Sequence, residues 1–127
     1  MKTIRMMLVV ILATFMLGAC NNVNIASLLK PNQDLADGIK SYEEGDYKTA
    51  LVALQKAQDP KSSSRNDQVT AHKYLAFINC VSGHEEQCRS EFRKALMINP
   101  SFDLKPAEAG HPVWGPIFRG EKAKFAK

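Results

Sequence analysis

Cys80, His84 and Cys88 form a C-x3-H-x3-C spacing, the one place where soft metal ligands recur a helical turn apart. On an unbroken helix the three side chains would share a face and could converge on zinc. Gly83 interrupts the pattern, no fourth ligand stands nearby, and no metal is expected. A turn at Gly83 instead puts Cys80 near the end of one helix and Cys88 near the start of the next, roughly facing each other. A Cys80–Cys88 disulfide is then geometrically open, and closing so short a loop would contribute about 2–3 kcal/mol on the chain-entropy estimate. The competing reading is two buried thiols acting as small apolar side chains. His72 and His111 have no ligand-like neighbours in sequence.

No catalytic arrangement stands out. Glu43-Glu44 and Glu85-Glu86 border turns, where carboxylates are most simply solvated, and the second pair also favours the positive end of a helix. Ser62 to Ser64 have no base close in sequence, and there is no glycine-rich phosphate loop. These residues predict a protein that is not an enzyme, without catalytic residues, small-molecule substrate or dissociable cofactor.

The third cysteine has another setting. Residues 1–20, MKTIRMMLVVILATFMLGAC, place Lys2 and Arg5 before an apolar run from Met6 to Leu17, then small residues, then Cys20. That order is a secretion signal, and the apolar run is shorter than the roughly 20 residues a membrane-spanning helix needs. Leu17-Gly18-Ala19-Cys20 resembles the lipobox of bacterial lipoproteins; the alternative is an ordinary secretory peptide whose cleavage site contains a cysteine. The resemblance implies cleavage of residues 1–19, diacylglycerol on the Cys20 sulfur and an acyl chain such as palmitate on its new amino group. At about 0.8 kcal/mol per buried methylene, several chains make a stable anchor. Asn21 and Asn22 stand where many inner-membrane lipoproteins carry Asp, which favours the outer membrane with the protein facing the periplasm.

The 127 residues suit one domain. Their net charge of +4, from 17 basic and 13 acidic residues, falls to +2 without Lys2 and Arg5. A nearly neutral exported domain is a poor candidate for nucleic acid.

After a polar tether over residues 20–33, on which Leu28 and Leu29 could dock, helical periodicity begins. Leu35, Ile39 and Tyr42 share one face; after Gly45-Asp46 the period resumes through Tyr47, Ala50, Leu51, Leu54 and Ala57. The second half repeats this with Val69 to Ile78, a break at Gly83-His84, then Cys88 to Ile98. Gly45 aligns with Gly83 and Ala57 with Ala95, both 38 residues apart, and the polar stretch 61–66 is expected to loop between the pairs. Residues 34–100 resemble two tetratricopeptide repeats, nominally about 34 residues each. Gly38, Gly45, Tyr47, Ala50, Leu54 and Ala57 fit the first, and Leu75, Ala76, Gly83, Phe92, Ala95 and Pro100 the second. The expected fold is all-α: two helical hairpins and a capping segment at 101–127, with a turn at 105–110 and a last helix from about 115 to 125.

In such repeats the first helix of each hairpin lines a groove. Alignment places Leu35, Ile39, Tyr42 and Glu43 there from one unit, and Thr70, Lys73, Phe77 and Cys80 from the other. Leu35, Ile39 and Phe77 stand where the family's carboxylate clamp needs polar side chains, so that activity is not carried over. Two readings of the apolar groove stay open: a partner's helix or strand fills it, or the protein's own Trp114-Ile117-Phe118 cap does. The basic tail of Arg119, Lys122, Lys124 and Lys127 is either a solvated helix end or a contact for anionic lipid or cell-wall polymer.

The run His72 to Ile78, Cys80, Gly83, Cys88-Arg89, Phe92 to Leu96 and the tail Pro106 to Phe118 resemble small tetratricopeptide lipoproteins that accompany type VI secretion systems. The resemblance implies an outer-membrane scaffold that binds protein partners of an envelope-spanning complex. Two other classes remain: a pilotin-like chaperone for a secretin or pilus subunit, and a cell-wall-associated structural lipoprotein.

Overall fold

The computed structural model describes residues 30–126, so the expected signal peptide, the lipidation residue Cys20, most of the tether and Lys127 lie outside the described residues. All regular elements among them are helices: α1 (Gln33–Glu43), α2 (Tyr47–Ala57), α3 (Arg65–Val81), α4 (Glu85–Ile98), α5 (Pro106–Ala109) and α6 (Trp114–Ala123). Among the described residues the fold is all-α, as the periodicity predicts.

Three starts are set by short polar side chains that satisfy N–H groups the first turn cannot. Asn32 Oδ1 accepts from Leu35 N at 3.0 Å, Asp46 Oδ1 from Thr49 N at 3.1 Å, and Ser64 Oγ from Asp67 N at 3.1 Å. Because Ser64 caps α3, that helix opens at Arg65, inside the stretch expected to loop as far as Asn66.

The turns α1–α2 and α3–α4 are built alike. Gly45 and Gly83 both have φ of +79°, a left-handed conformation that glycine adopts without steric cost. The N–H groups of Glu44, Gly45 and Asp46 bond to the carbonyls of Lys40, Tyr42 and Ser41, and those of Ser82, Gly83 and His84 bond to Ile78, Cys80 and Asn79. The 38-residue spacing seen in the sequence is thus kept bond by bond.

Helices α1 and α2 pair, α3 and α4 pair, and α3 also meets α1, α2 and α6. Between the pairs, Ala50, Leu54 and Ala57 of α2 pack on Ala71, Leu75 and Ile78 of α3. Gly38 lets α1 approach α2 closely: a Cβ there would stand 2.7 Å from Leu54 Cγ. A second cluster joins Phe77 and Cys80 of α3, Cys88 and Phe92 of α4, Leu104, and Trp114 and Phe118 of α6.

The expected turn at 105–110 contains the short helix α5, opened by Pro106, and α6 ends at Ala123. Pro116 is the third residue of α6, where the missing N–H would have had no intrahelical acceptor.

Candidate functional site

Helix α3 is enclosed on several sides: of the four residues aligned with the groove, Lys73 is 8% exposed, Phe77 2% and Cys80 6%, while Thr70 is half-buried. Of the two readings the sequence leaves open for the groove, the covered one describes these positions. The cover is the chain's own C-terminal segment. Trp114 stacks on Phe77 with centroids 4.2 Å apart, and His111 stacks on Trp114 at 3.3 Å. Glu108 Oε1 accepts from Lys73 Nζ at 2.7 Å, its Oε2 accepts from Lys105 N at 2.9 Å, and its backbone carbonyl accepts from Trp114 Nε1 at 2.8 Å. An aromatic ring beside an ammonium needs apolar cover next to a counter-charge, and Trp114 with Glu108 supplies both. Of the other cap residues, Phe118 is buried between Phe92 and Phe102, with centroids at 5.2 and 5.6 Å, and Ile117 is half-buried.

Leu35, Ile39 and Tyr42 of α1 keep part of their surface open. Tyr42 stacks on Tyr47 at 5.7 Å and meets Tyr74 edge-on at 5.1 Å, making a tyrosine row where α1, α2 and α3 converge. Among the described residues none of the three hydroxyls has a hydrogen-bond partner; Tyr42 and Tyr74 are half-buried and Tyr47 is exposed. Burial, then the neighbouring Tyr47, Tyr74 and Glu108, raise the Tyr42 pKa; burial, Glu108 and Glu43 raise that of Tyr74. Lys73 Nζ lies 4.7 Å from the Tyr74 ring centroid.

Cys80 and Cys88 lie at disulfide distance with Cα atoms 5.1 Å apart, both buried, linking α3 to α4 inside the second cluster. His84 is exposed in the turn, and among the described residues no group of three potential ligands could hold a metal ion.

Two ionic networks were not foreseen. Glu121 is fully buried and accepts from Arg93 Nε at 3.2 Å and Lys124 Nζ at 2.8 Å, with Arg89 3.8 Å away. Burial pushes its pKa up, but the bonds from Lys124 and Arg93 outweigh this and hold the carboxyl below its ordinary value. The signal was present: Glu121 follows Trp114 and Phe118 at spacings of four and three, on the apolar stripe of α6. Glu91 likewise bonds His72 Nδ1 at 2.6 Å and Lys94 Nζ at 2.7 Å, and these bonds overcome burial to lower its pKa. Of the basic tail, Lys124 is held by Glu121, Lys122 by the Phe102 carbonyl and Asp103, and Arg119 by the Ala109 carbonyl.

Comparisons with family models, with curated proteins and with solved structures return no match. No helix among the described residues is long and apolar enough to cross a membrane.

Proposed function

We propose that this chain is a lipid-anchored interaction module with tetratricopeptide-like helical pairs, held through Cys20 at the periplasmic face of the outer membrane. In this reading it serves as an accessory scaffold of a type VI secretion apparatus. The lipobox-like ending and the tail from Pro106 to Phe118 support the anchor and the secretion assignment, and the matched Gly45 and Gly83 turns support the repeat. The observation that carries the binding role is the half-open edge of Leu35, Ile39, Tyr42, Tyr47 and Tyr74, three of them a row of packed tyrosines. Tyrosines offer large, stiff contact area with a polar tip, a chemistry that suits protein interfaces. Macromolecular recognition through this edge requires no cofactor.

A photo-crosslinking residue at Tyr47 tests the reading in cells. The expected product joins the protein to a component of the envelope-spanning complex and is lost on Ile39→Asp. A secretin or pilus subunit that is crosslinked there and mislocalises on depletion would favour the chaperone class. Co-sedimentation with peptidoglycan and no crosslink would favour the cell-wall class. A Cys20→Ser chain that still fractionates with membranes would remove the anchor from the proposal.

A further inference from the structure

Among the described residues Glu121 is the one fully buried carboxylate, and it gathers three cations where one would neutralise it. Arg93 Nε donates to its Oε2 at 3.2 Å, Lys124 Nζ donates to its Oε1 at 2.8 Å, and Arg89 Nη1 stands 3.8 Å from Oε1. Arg89 and Arg93 are one turn apart on α4, and Lys124 is the C-cap of α6, so two helices supply the cluster. Arg93 and Lys124 are exposed and Arg89 is half-buried. The charges are therefore layered, with the carboxylate inside and the cations between it and water.

This layering leaves donors unspent. Arg93 uses its Nε on the carboxylate, and among the described residues its two Nη groups have no partner. Lys124 spends one of its three protons on Glu121. Arg89 is more fully engaged, with Nε and Nη2 on Glu85 at 3.2 and 2.5 Å, but its Nη1 lies beyond hydrogen-bond distance of Glu121. A guanidinium pinned at Nε presents its outer edge as a fixed fork, which an oxyanion meets through two bonds. Holding the fork in advance removes part of the ordering cost that a loose arginine meets on binding. Arg93 and Lys124 share Glu121 alone and so keep a surplus of one positive charge, and Glu85 and Glu86 stand about two turns back along α4.

We propose that Arg93 and Lys124, positioned by the buried Glu121, bind a phosphate group, with Arg89 Nη1 as a further donor. Fork and ammonium come from different helices, which suits tetrahedral oxygens better than the flat pair of a carboxylate. This site lies on α4 and α6, apart from the tyrosine edge, and stands whether or not Cys20 carries lipid, so the two readings fail separately.

The test follows the Nε–H signals of Arg89 and Arg93 by nitrogen-edited NMR, with the full chain in phosphatidylcholine discs. Before any addition the Arg93 signal should show a high heteronuclear NOE, the mark of a pinned guanidinium; free rotation would overturn the positioning by Glu121. Inorganic phosphate is then added against sodium chloride of equal ionic strength, and a saturable shift is expected with phosphate alone. Saturation there assigns a free phosphate as ligand. The same shift without added phosphate, in discs that contain phosphatidic acid, assigns a lipid head group, and either result supports the site. Arg93→Lys keeps the charge and removes the fork, and Lys124→Ala removes the ammonium. Each should weaken binding by about tenfold, read from the Arg89 signal. Variants that lower the thermal midpoint and leave the affinity unchanged would reduce the cluster to a latch between α4 and α6 and overturn the proposal. So would no saturable shift in either kind of disc, an equal shift with sodium chloride, or acetate bound as tightly as phosphate.

Discussion

Trp114 lies nearly parallel to Phe77, the planes 21° apart, and so closes the face of α3 that would otherwise be the apolar floor of a groove. Phe77→Asp is therefore not a clean probe of partner binding. It would bury a carboxylate at a position only 2% exposed and unfold the second helical pair before any partner was tested.

Removing the cover should cost stability directly. Trp114→Ala is expected to lose about 3–5 kcal/mol, the range for deleting a buried aromatic side chain. A chain ending before His111 should lose at least as much, because Phe118 leaves as well. Urea unfolding followed by circular dichroism measures both, and Trp114, the only tryptophan, reports the same transition by fluorescence in the intact chain. An unchanged midpoint in either variant would mean that the cap is not part of the core.

Gly115 makes the close approach of α6 to α5. A Cβ there would stand 2.5 Å from the Ala109 carbonyl oxygen, which is backbone and cannot swing aside. Gly115→Ala gains about 1 kcal/mol of helix propensity but meets an overpacking cost of about 1–3 kcal/mol. A net loss in thermal midpoint is expected, and a gain would show that α5 can shift freely. Gly120→Ala, with nothing within 4 Å of its Cβ, is the control that should be stabilising.

The paired cysteines predict no free thiol in the unreduced exported protein. Counting thiols under denaturing conditions should return none from Cys80 and Cys88, and Cys80→Ala with Cys88→Ala should cost about 2–3 kcal/mol. Two reactive thiols would leave the pair as buried apolar residues only.

Acid should destabilise the fold through Glu91 and Glu121. Both are held below the ordinary value of 4.5 in the folded chain, so the unfolded chain takes up their protons first as pH falls. Their contribution is complete above about pH 5 and is lost as pH drops through the folded values. Urea midpoints between pH 7 and pH 3 should fall over that lower range, and fall less steeply in Glu121→Gln. Equal slopes would remove Glu121 from the account.

The helices were legible because their punctuation is local. Gly45 and Gly83 break the period wherever they stand, whereas the caps Asn32 and Ser64 were read as tether and loop, because a short polar side chain suits all three roles. The site was only half legible, because periodicity says which residues share a face and not which face meets which. Lys73 and Glu108 stand 35 positions apart, and nothing near either one announces the other. Phe77 stood equally for an open groove and a covered one until Trp114 was placed against it. Glu121 did carry a local sign, a charge on an apolar stripe.

The Cys80–Cys88 link sits at the closed end of one hairpin, while its counterpart at Gly45 has no covalent clasp among the described residues. Pulled from its N-terminal end, the protein would therefore yield unevenly. Helices α1 and α2 can peel away and lengthen, whereas the segment between the two sulfurs is withheld from the stretched contour and α3 stays tied to α4. Such a molecule gives slack from its unclasped pair first, and the loop between the sulfurs adds none.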